Sequence, residues 1–399
     1  MTEKRAGETK AARSLEGVLE GRDILCFGHD WTGDPLSKTH MMRMMAEKNR
    51  VLWINSIGYR RPTASAHDAK RILDKLSKFK DRVREAERNI HVLGPLAIPL
   101  YDLPAVRRIN RELLRIQILL AMKKLGFRRP LSFVFNPTGS VVTGALGEDK
   151  VIYYCVDEFT AYSDAGNASL VEMERALLRK ADLVVVSAQS LLESKSPYNP
   201  HTVLVRHGVQ FDHFARALSS STIVPADIAS LPKPVIGYFG LMADDWIDVE
   251  LLAKVAERFS SGSLVLIGKA TTDMSRVTKL PNVHLLGRKP FEELPAYCKG
   301  FDVALNAFPI NDVTLNANPL KVREYLAAGL PVVSSRIPEV EVLGDLVHVG
   351  DDHEGFLRGI EEALRDPGPK RERSEAMRGE SWRGRYEELR GHLAEVGIR

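Results

Sequence analysis

Residues 316–334, NANPLKVREYLAAGLPVVS, predict a loop, a helix and a buried strand in close succession. Asn318 can cap the helix, and Pro319 suits its first position because the N–H group that proline lacks would have no partner there. Gly329 ends the helix, and Pro331 prevents its continuation into the β-branched pair that follows. The segment therefore predicts one helix–strand unit of an α/β sheet.

The polar residues of this segment predict a ligand. The unpaired N–H groups of the first helical turn, near Leu320, form an anion site, and Lys321 adds a positive charge beside them. Glu324 lies close enough to the same end of the helix to accept hydrogen bonds from a vicinal diol such as a ribose. Together these residues predict a nucleotide-diphosphate site. The alternative is a plain helix–strand unit with a solvated Glu324.

The same pattern, which runs from Pro319 through Lys321 and Glu324 to Val333, resembles the donor-binding signature of GT-B glycosyltransferases, in particular the retaining glycosyltransferase family 4. The resemblance implies that Glu324 binds the ribose of a sugar nucleotide and that the anomeric configuration is retained. The family carries another glutamate eight positions earlier, where this chain has Asn316. Asn316 can hydrogen-bond a sugar hydroxyl or support an anomeric centre, but it supplies no carboxylate.

The composition of this 399-residue chain is that of a soluble enzyme with two or three domains, because 44% of its residues are hydrophobic and 27% are charged. No apolar run approaches the roughly 20 residues that cross a bilayer. The first 22 residues contain no apolar segment typical of a secretory signal. The three cysteines, Cys26, Cys155 and Cys298, have neither metal-site nor disulfide spacing. We therefore expect a cytoplasmic protein.

Short apolar runs alternate with helix-like stretches along both halves of the chain, which predicts parallel sheets covered on both faces. The fold class is therefore α/β, with two Rossmann-like, doubly wound domains that face each other across a cleft, as in the GT-B architecture. Ligands are expected at the carboxyl ends of the strands. The predicted divisions are a polar extension (1–22), an acceptor-side domain (23–217), a linker rich in Ser and Pro (218–234), a nucleotide-sugar-binding domain (235–370) and a final helix that returns to the first domain in many GT-B proteins (371–399).

Further positions in the second half match the family. Gly240 ends a strand and would let the backbone approach a diphosphate closely. Gly287 and Arg288 resemble the strand end and loop whose backbone meets the nucleobase, although Arg288 could equally be a plain surface charge. Many family members follow the first of these glycines with an Arg and a Lys that hold the phosphates. Here Leu241–Asp245 replace that clamp, so Lys321 would act alone or with Arg206 or Lys269.

The resemblance implies catalysis without a bound metal or cofactor, and the nucleotide-diphosphate sugar is a substrate. The adjacent carboxylates Asp244 and Asp245 are therefore expected to be solvated rather than metal ligands. In the first half, His29 follows the first strand and could act as a base or hydrogen-bond the donor sugar. Asp157 or Glu158, in the same topological position, would bind acceptor or sugar hydroxyls. For His29, the alternative is a contact with the adjacent Asp30 that only orders the loop.

Two basic helices are predicted in the first half, and both could contact an anionic membrane surface. An ordinary solvated helix face is the alternative, and nucleic acid is not expected because aromatic residues do not alternate with the basic ones. One helix combines apolar and basic residues: Arg107, Arg108, Arg111, Leu113, Leu114, Arg115, Ile116, Ile118, Leu119, Leu120, Met122, Lys123, Lys124, Arg128 and Arg129. The other is polar: Lys70, Arg71, Lys75, Lys78, Lys80, Arg82 and Arg84.

These features predict a glycosyltransferase that moves a sugar from a nucleotide-diphosphate donor to a glycan or a lipid-linked glycan, in the synthesis of a surface polysaccharide. It would be cytoplasmic or peripheral at the inner membrane face. Two alternatives stay open: a GT-B-shaped sugar-nucleotide epimerase or hydrolase, and a non-catalytic partner of another transferase. An NAD-dependent dehydrogenase is disfavoured because Gly28 and Gly33 do not make the G-x-G-x-x-G spacing.

Overall fold

A computed structural model describes residues 15–31, 35–57, 83–159, 161 and 168–399. These residues form two compact units, one from the described residues up to Val205 together with residues 386–399, and the other from residues 206–385. Each unit contains one sheet with helices, so the prediction of two parallel-sheet α/β domains is confirmed. None of the helices in these ranges is long and apolar enough to cross a membrane.

The first sheet has eight strands in the order β3-β4-β2-β1-β5-β6-β7-β8, and all neighbours are parallel except β3 and β4. Its strands are β1 (Asp23–Phe27), β2 (Arg50–Ile54), β3 (Val83–Glu87), β4 (Ile90–Leu93), β5 (Leu131–Val134), β6 (Lys150–Cys155), β7 (Leu183–Val186) and β8 (Thr202–Leu204). The main helices are α1 (Ser37–Met45), α2 (Pro104–Leu125), α3 (Ala168–Lys180) and α4 (Gln189–Lys195).

The second sheet has six parallel strands in the order β11-β10-β9-β12-β13-β14. The strands are β9 (Val235–Phe239), β10 (Ser263–Ile267), β11 (Val283–Gly287), β12 (Val303–Asn306), β13 (Val332–Ser335) and β14 (Val347–Gly350). The helices are α5 (Phe211–Phe214), α6 (Ala226–Ala229), α7 (Val249–Arg258), α8 (Ser275–Thr278), α9 (Leu294–Gly300), α10 (Asp312–Leu315), α11 (Leu320–Ala327), α12 (Pro338–Glu341), α13 (His353–Arg365), α14 (Lys370–Ala376) and α15 (Trp382–Glu395).

Alternate residues of β9 explain why both faces of the second sheet are buried. Val235 and Phe239 belong to one hydrophobic cluster, whereas Ile236 and Tyr238 belong to another. Because successive side chains of a strand point to opposite faces, the two clusters cover opposite faces of the sheet. The carboxyl edge of the strands is then the place where polar groups can meet a ligand.

The two units divide at Val205 and Arg206, ahead of the predicted linker at 218–234. The reason is that Phe211, Phe214 and Ala217 are buried in a core cluster of the second unit. At the other end, the predicted final helix at 371–399 is two helices, α14 and α15, and the residues from Tyr386 onward belong to the first unit.

The polar helix predicted to include Arg84 needs a correction. Arg84 lies on β3, an edge strand that pairs antiparallel with β4. The VREAE sequence of this strand favours a helix locally, so its pairing with β4 overrides the local propensity. The other basic residues assigned to that helix, Lys70 to Arg82, lie outside the described residues.

Candidate active site

Two glycines bring main-chain atoms together at the carboxyl edge of the second sheet. Gly240 follows β9 and Gly268 follows β10, with φ values of +142° and +140° that L side chains rarely adopt. A Cβ atom on Gly268 would lie 1.8 Å from the carbonyl oxygen of Gly240. The N–H of Gly240 donates to Ile267, and that of Gly268 donates to Gly287 at the end of β11 (2.9 and 2.8 Å). The edge is therefore built largely from backbone that a ligand can approach closely.

Lys321, in the first turn of α11, lies against this edge. Its Nζ is 3.1 Å from the position that a Cβ atom on Gly240 would take. The ammonium group is 4.6 Å from the ring centre of Tyr238 and 4.4 Å from that of Phe308. It donates to the Tyr238 hydroxyl at 3.0 Å, and that hydroxyl donates to the carbonyl oxygen of Leu241 at 2.9 Å. Lys321 is thus held where an anion above Gly240 would meet it.

Glu324 follows Lys321 by three residues on α11, so the two side chains lie on neighbouring positions of the helix. Its side chain is partly exposed, and no hydrogen bond to its carboxylate comes from the described part of the chain. Burial lowers the pKa of Lys321 to about 7, an effect that Glu324 opposes. Burial also raises the pKa of Glu324, and Lys321 opposes that shift. The carboxylate can therefore accept hydrogen bonds from a ligand.

The cap of α11 differs from the prediction. The helix begins at Leu320, so Pro319 rather than Asn318 takes the cap position, and it makes no side-chain cap hydrogen bond. Asn318 is buried instead, where its Oδ1 accepts from Arg323 (2.6 Å) and its Nδ2 donates to Glu339 (3.3 Å). Because a proline has no side-chain acceptor, no cap side chain occupies the first-turn N–H groups. They suit an anionic ligand for that reason.

Arg206 belongs to the same polar network. Its Nε donates to Glu339 at 2.7 Å, and Glu339 is only 1% exposed. The neighbouring His207 contacts the carbonyl oxygen of Asn318 through Nδ1 at 3.0 Å. Arg323, also 1% exposed, completes the network through Asn318. Arg206 therefore has a buried carboxylate partner that the sequence did not indicate, and the network holds the residues that precede α11.

The remaining predicted residues of the second unit lie at the same carboxyl edge or near it. Asn316 is the C-cap residue that follows α10, is partly exposed, and donates through Nδ2 to the carbonyl oxygen of Asp312 at 2.7 Å. Gly287 is the last residue of β11, and Arg288 follows it with an exposed side chain. Asp244 accepts a hydrogen bond from the hydroxyl of Thr272. The structure thus brings Gly240, Lys321 and Glu324 together, with Gly287 two strands away in the sheet order.

His29 lies after β1 in the first unit. Its carbonyl oxygen accepts from Nε1 of Trp53 at 2.7 Å, and the two rings meet edge to face at 5.3 Å. Its Nδ1 is buried and has no hydrogen-bond partner among the described residues. Burial, together with the nearby charge of Lys38, lowers the pKa of His29 to about 4. The imidazole is therefore neutral near neutral pH and can donate or accept a hydrogen bond.

Asp157 and Glu158 follow β6, but the structure gives them different surroundings. The carboxylate of Glu158 accepts from Lys195 at 2.7 Å, and Lys195 also donates to Glu174 at 2.9 Å. Lys195 and Glu174 are 5% and 3% exposed, so this is a nearly buried ion cluster. Glu158 is therefore committed to a structural contact. Asp157 is partly exposed, and its charge acts on Lys38.

Lys38 was not identified from the sequence. It is the second residue of α1, and its Nζ lies 6.0 Å from the ring centre of Phe135, the residue after β5. Its charge contributes to the lowered pKa of His29, and the charge of Asp157 opposes the lowering of the Lys38 pKa that burial causes. Its position at the start of the helix after the first strand is the signal that could have revealed it, because such helix starts lie at the carboxyl edge of a doubly wound sheet.

Comparisons with known proteins agree with this architecture. The family described as "Glycosyl transferases group 1" matches residues 233–366, which include every second-unit candidate except Arg206. A curated relative, the putative teichuronic acid biosynthesis glycosyltransferase TuaH of Bacillus subtilis (strain 168), is 23% identical over 261 residues. That match covers 59% of this chain and 64% of TuaH, so the chain spans slightly less than two thirds of the relative's length.

Solved structures match over nearly the whole chain. Sucrose-phosphate synthase from Thermosynechococcus elongatus has a TM-score of 0.67 at 17% identity, over 94% of this chain and 98% of that one. The α,α-trehalose-phosphate synthase from Burkholderia vietnamiensis has a TM-score of 0.66 at 14% identity, over 95% and 99%. Anabaena Alr3699/HepE, in complex with UDP, has a TM-score of 0.64 at 12% identity, over 94% and 100%. Residues 233–366 are thus similar to the group 1 glycosyltransferases, and the chain has the GT-B fold.

Proposed function

We propose that this protein transfers a sugar from a nucleotide-diphosphate donor to a glycan or a lipid-linked glycan. The observation that carries the proposal is the grouping of Lys321, the backbone at Gly240 and the carboxylate of Glu324 at one sheet edge. A cation and unoccupied helix N–H groups fit a diphosphate, and an open carboxylate fits a ribose diol. Anabaena Alr3699/HepE has been solved with UDP and with UDP-glucose, which supports a sugar nucleotide as the donor.

In the proposed reaction, the bond between the anomeric carbon and the diphosphate oxygen breaks, and its electron pair leaves with the diphosphate. Lys321 and the amides near Leu320 stabilise that developing charge. An acceptor hydroxyl oxygen forms the new bond to the anomeric carbon and gives up its proton. Asn316 offers a neutral amide to the sugar, and we expect retention of configuration without a metal ion.

The first unit supplies the acceptor side in this proposal. The neutral imidazole of His29 can accept the proton of an acceptor hydroxyl or donate a hydrogen bond to the sugar, because its pKa is lowered to about 4. Asp157, which is half-exposed, can orient acceptor hydroxyls. In the second unit, Gly287 and Arg288 would meet the nucleobase, and Arg206 would act on the donor through its contact with Glu339.

The function is tested by measuring the release of nucleoside diphosphate from a panel of sugar nucleotides, with and without membrane and glycan extracts. A transferase releases it only when an acceptor is present. A hydrolase releases it from the donor alone, and an epimerase changes the donor sugar without releasing it. No reaction and no binding with any donor would favour a non-catalytic partner of another transferase. The replacement of the phosphate clamp by Leu241–Asp245 is the sequence feature that favours this alternative.

A membrane contact would suit a lipid-linked acceptor and synthesis of a surface polysaccharide, the kind of pathway named for TuaH. Helix α2 carries exposed apolar side chains at the spacing of one helix face, namely Ile109 (54% exposed), Ile116 (54%) and Leu120 (63%). The neighbouring cations Arg108, Arg111, Lys123 and Lys124 are exposed as well. Apolar residues beside cations fit an anionic membrane surface, where each cation contributes about 1 kcal/mol.

We therefore expect the protein to sediment with anionic liposomes at low salt and to be released as salt is raised. Replacing Ile109, Ile116 and Leu120 together by serine should lower the bound fraction at least about tenfold, because the insertion of three side chains is lost. Ile223→Ser, at an 84% exposed position of the second unit, is the matched control and should bind like the wild type. A wild-type protein that stays in the supernatant at every salt concentration contradicts the membrane proposal.

A further inference from the structure

The carboxyl ends of β1, β5 and β6 lie side by side in the first sheet. Four residues lie after these ends: His29 in the loop after β1, Lys38 at the start of the next helix α1, Phe135 after β5 and Asp157 after β6. Phe135 stacks on Tyr154, with 5.1 Å between the ring centres, and the ammonium group of Lys38 lies 6.0 Å from the centre of the Phe135 ring. The ammonium group of Lys38 therefore lies beside an aromatic ring at the edge of the sheet where this fold class binds ligands.

Lys38 lacks the direct carboxylate partner that buried cations usually have among the residues around them. The contrast is Lys195 in the same unit, whose ammonium donates to both Glu158 and Glu174. Among the described residues, no hydrogen bond and no ion pair within 4.0 Å is made by Nζ of Lys38, although the side chain is largely covered. Burial lowers its pKa, and Asp157 opposes this from outside contact distance. An anionic ligand would supply the hydrogen-bond acceptors and the counter-charge that this covered ammonium group lacks.

We propose that Lys38 binds an anionic group, a phosphate or a carboxylate, on the acceptor. That the anion belongs to the sugar acceptor rests on the proposed function, whereas the anion site itself is argued from residues of the first unit alone. Lys38 would hold the anionic group over Phe135, while Asp157 accepts hydrogen bonds from neighbouring hydroxyls. The neutral ring of His29 carries no charge that would repel or attract the anion, so Lys38 is the group that attracts it, against the opposing charge of Asp157.

The imidazole of His29 reports directly on this site, because the charge of Lys38 acts on it. We would record the imidazole ¹H–¹⁵N signals of the full-length protein while adding methyl phosphate, glucuronate or neutral methyl glucoside, and assign His29 with His29→Gln. Saturable shifts of the His29 signals are expected with methyl phosphate, with glucuronate, or with both, and the active probe names the anion. Equal shifts with the neutral glucoside, or no shift with either anion, would overturn the proposal.

Substitutions separate the anion site from a purely structural lysine. Lys38→Met should weaken the active anion about tenfold or more, whereas Lys38→Arg should keep most of the affinity. Lys123→Met, at an exposed lysine of α2, and Lys321→Met, at the second-unit anion site, should leave the His29 titration unchanged. Full affinity in a folded Lys38→Met protein would refute the assignment. If that variant does not fold, the wild-type titrations with charged and neutral probes still decide.

The same samples keep this inference apart from the proposed function. Binding of a sugar nucleotide is read on the second unit and should survive Lys38→Met unchanged. If the wild-type protein binds no sugar nucleotide, the proposed donor is refuted, but the anion titration of His29 is unaffected. If the His29 signals do not shift with either anion while a sugar nucleotide binds, only the anion site is refuted.

Discussion

Replacing Lys321 by methionine is expected to lower kcat/KM for sugar transfer about 100-fold. Methionine keeps an unbranched side chain between the rings of Tyr238 and Phe308, so the packing of α11 against the sheet is preserved. What is lost is the charge beside the backbone of Gly240, which the leaving diphosphate needs because the usual Arg and Lys are absent from Leu241–Asp245. Steady-state kinetics with the active donor measure the loss.

The role of Lys321 can also be tested by the number of protons that the protein takes up when it binds the sugar nucleotide. Burial lowers the pKa of Lys321 to about 7, so part of the free protein carries a neutral amine near neutral pH. A bound diphosphate favours the charged form and raises that pKa, so the wild-type protein should take up protons on binding at a pH of about 7 to 8. Calorimetry in buffers of different ionisation enthalpy detects the uptake. Lys321→Met should remove it and leave only the proton exchange of Glu324, whose pKa burial raises to about 7.

Lys279→Met is the matched control, since this exposed lysine lies on the same unit after α8. It should retain wild-type kinetics and proton uptake. Lys269→Met tests the remaining alternative, because Lys269 follows Gly268 at the same edge and was a candidate for sharing the charge. Wild-type kcat/KM in a folded Lys321→Met protein would remove Lys321 from the site.

Glu324→Gln should weaken donor binding about tenfold without unfolding the protein. Glutamine keeps the shape of the side chain but replaces one carboxylate oxygen by an N–H₂ group, so one charged acceptor for the ribose diol is lost. Stability should change little because burial raises the pKa of Glu324, which means that its surroundings already disfavour the charge. Thermal melting and donor titration separate the two effects.

Whether Glu324 contacts the ribose diol can be checked with a donor analogue that lacks this diol. A donor analogue whose 2′ and 3′ hydroxyls are absent should bind the wild-type and Glu324→Gln proteins equally. An intact donor that binds both proteins with the same affinity would show that Glu324 contacts something else.

Much of the fold was predictable because strand and helix signals agree with the tertiary structure. The buried strands β9 and β10 are runs of apolar residues bounded by Gly240 and Gly268, and both sheets are parallel as predicted, apart from the antiparallel pair of β3 and β4. Two strands escaped prediction, for different reasons. In β3, the charged VREAE sequence favours a helix, and only its pairing with β4 makes it a strand. The strand β14 is short, and two of its four residues are only half-buried.

The proposed donor site was the more predictable site because its main residues are close in sequence. Lys321 and Glu324 lie on one helix turn, and only the contact of Lys321 with Gly240 required the tertiary structure. The long-range partners were not predictable. Asn318 is drawn away from the helix start by Arg323 and Glu339, and Arg206 is paired with the same Glu339, which lies 133 residues away. No local pattern encodes such contacts.

Binding of a sugar nucleotide at α11 can be tested by ligand-observed NMR with UDP-, GDP-, dTDP- and ADP-sugars, run in parallel on the wild-type and Glu324→Gln proteins. We expect saturation transfer to one nucleotide family with the wild-type protein and a clear loss of that signal with the variant. Such a result would place the donor at α11 and identify its base. Absence of binding to all four families, with the wild-type protein folded, would contradict the donor site.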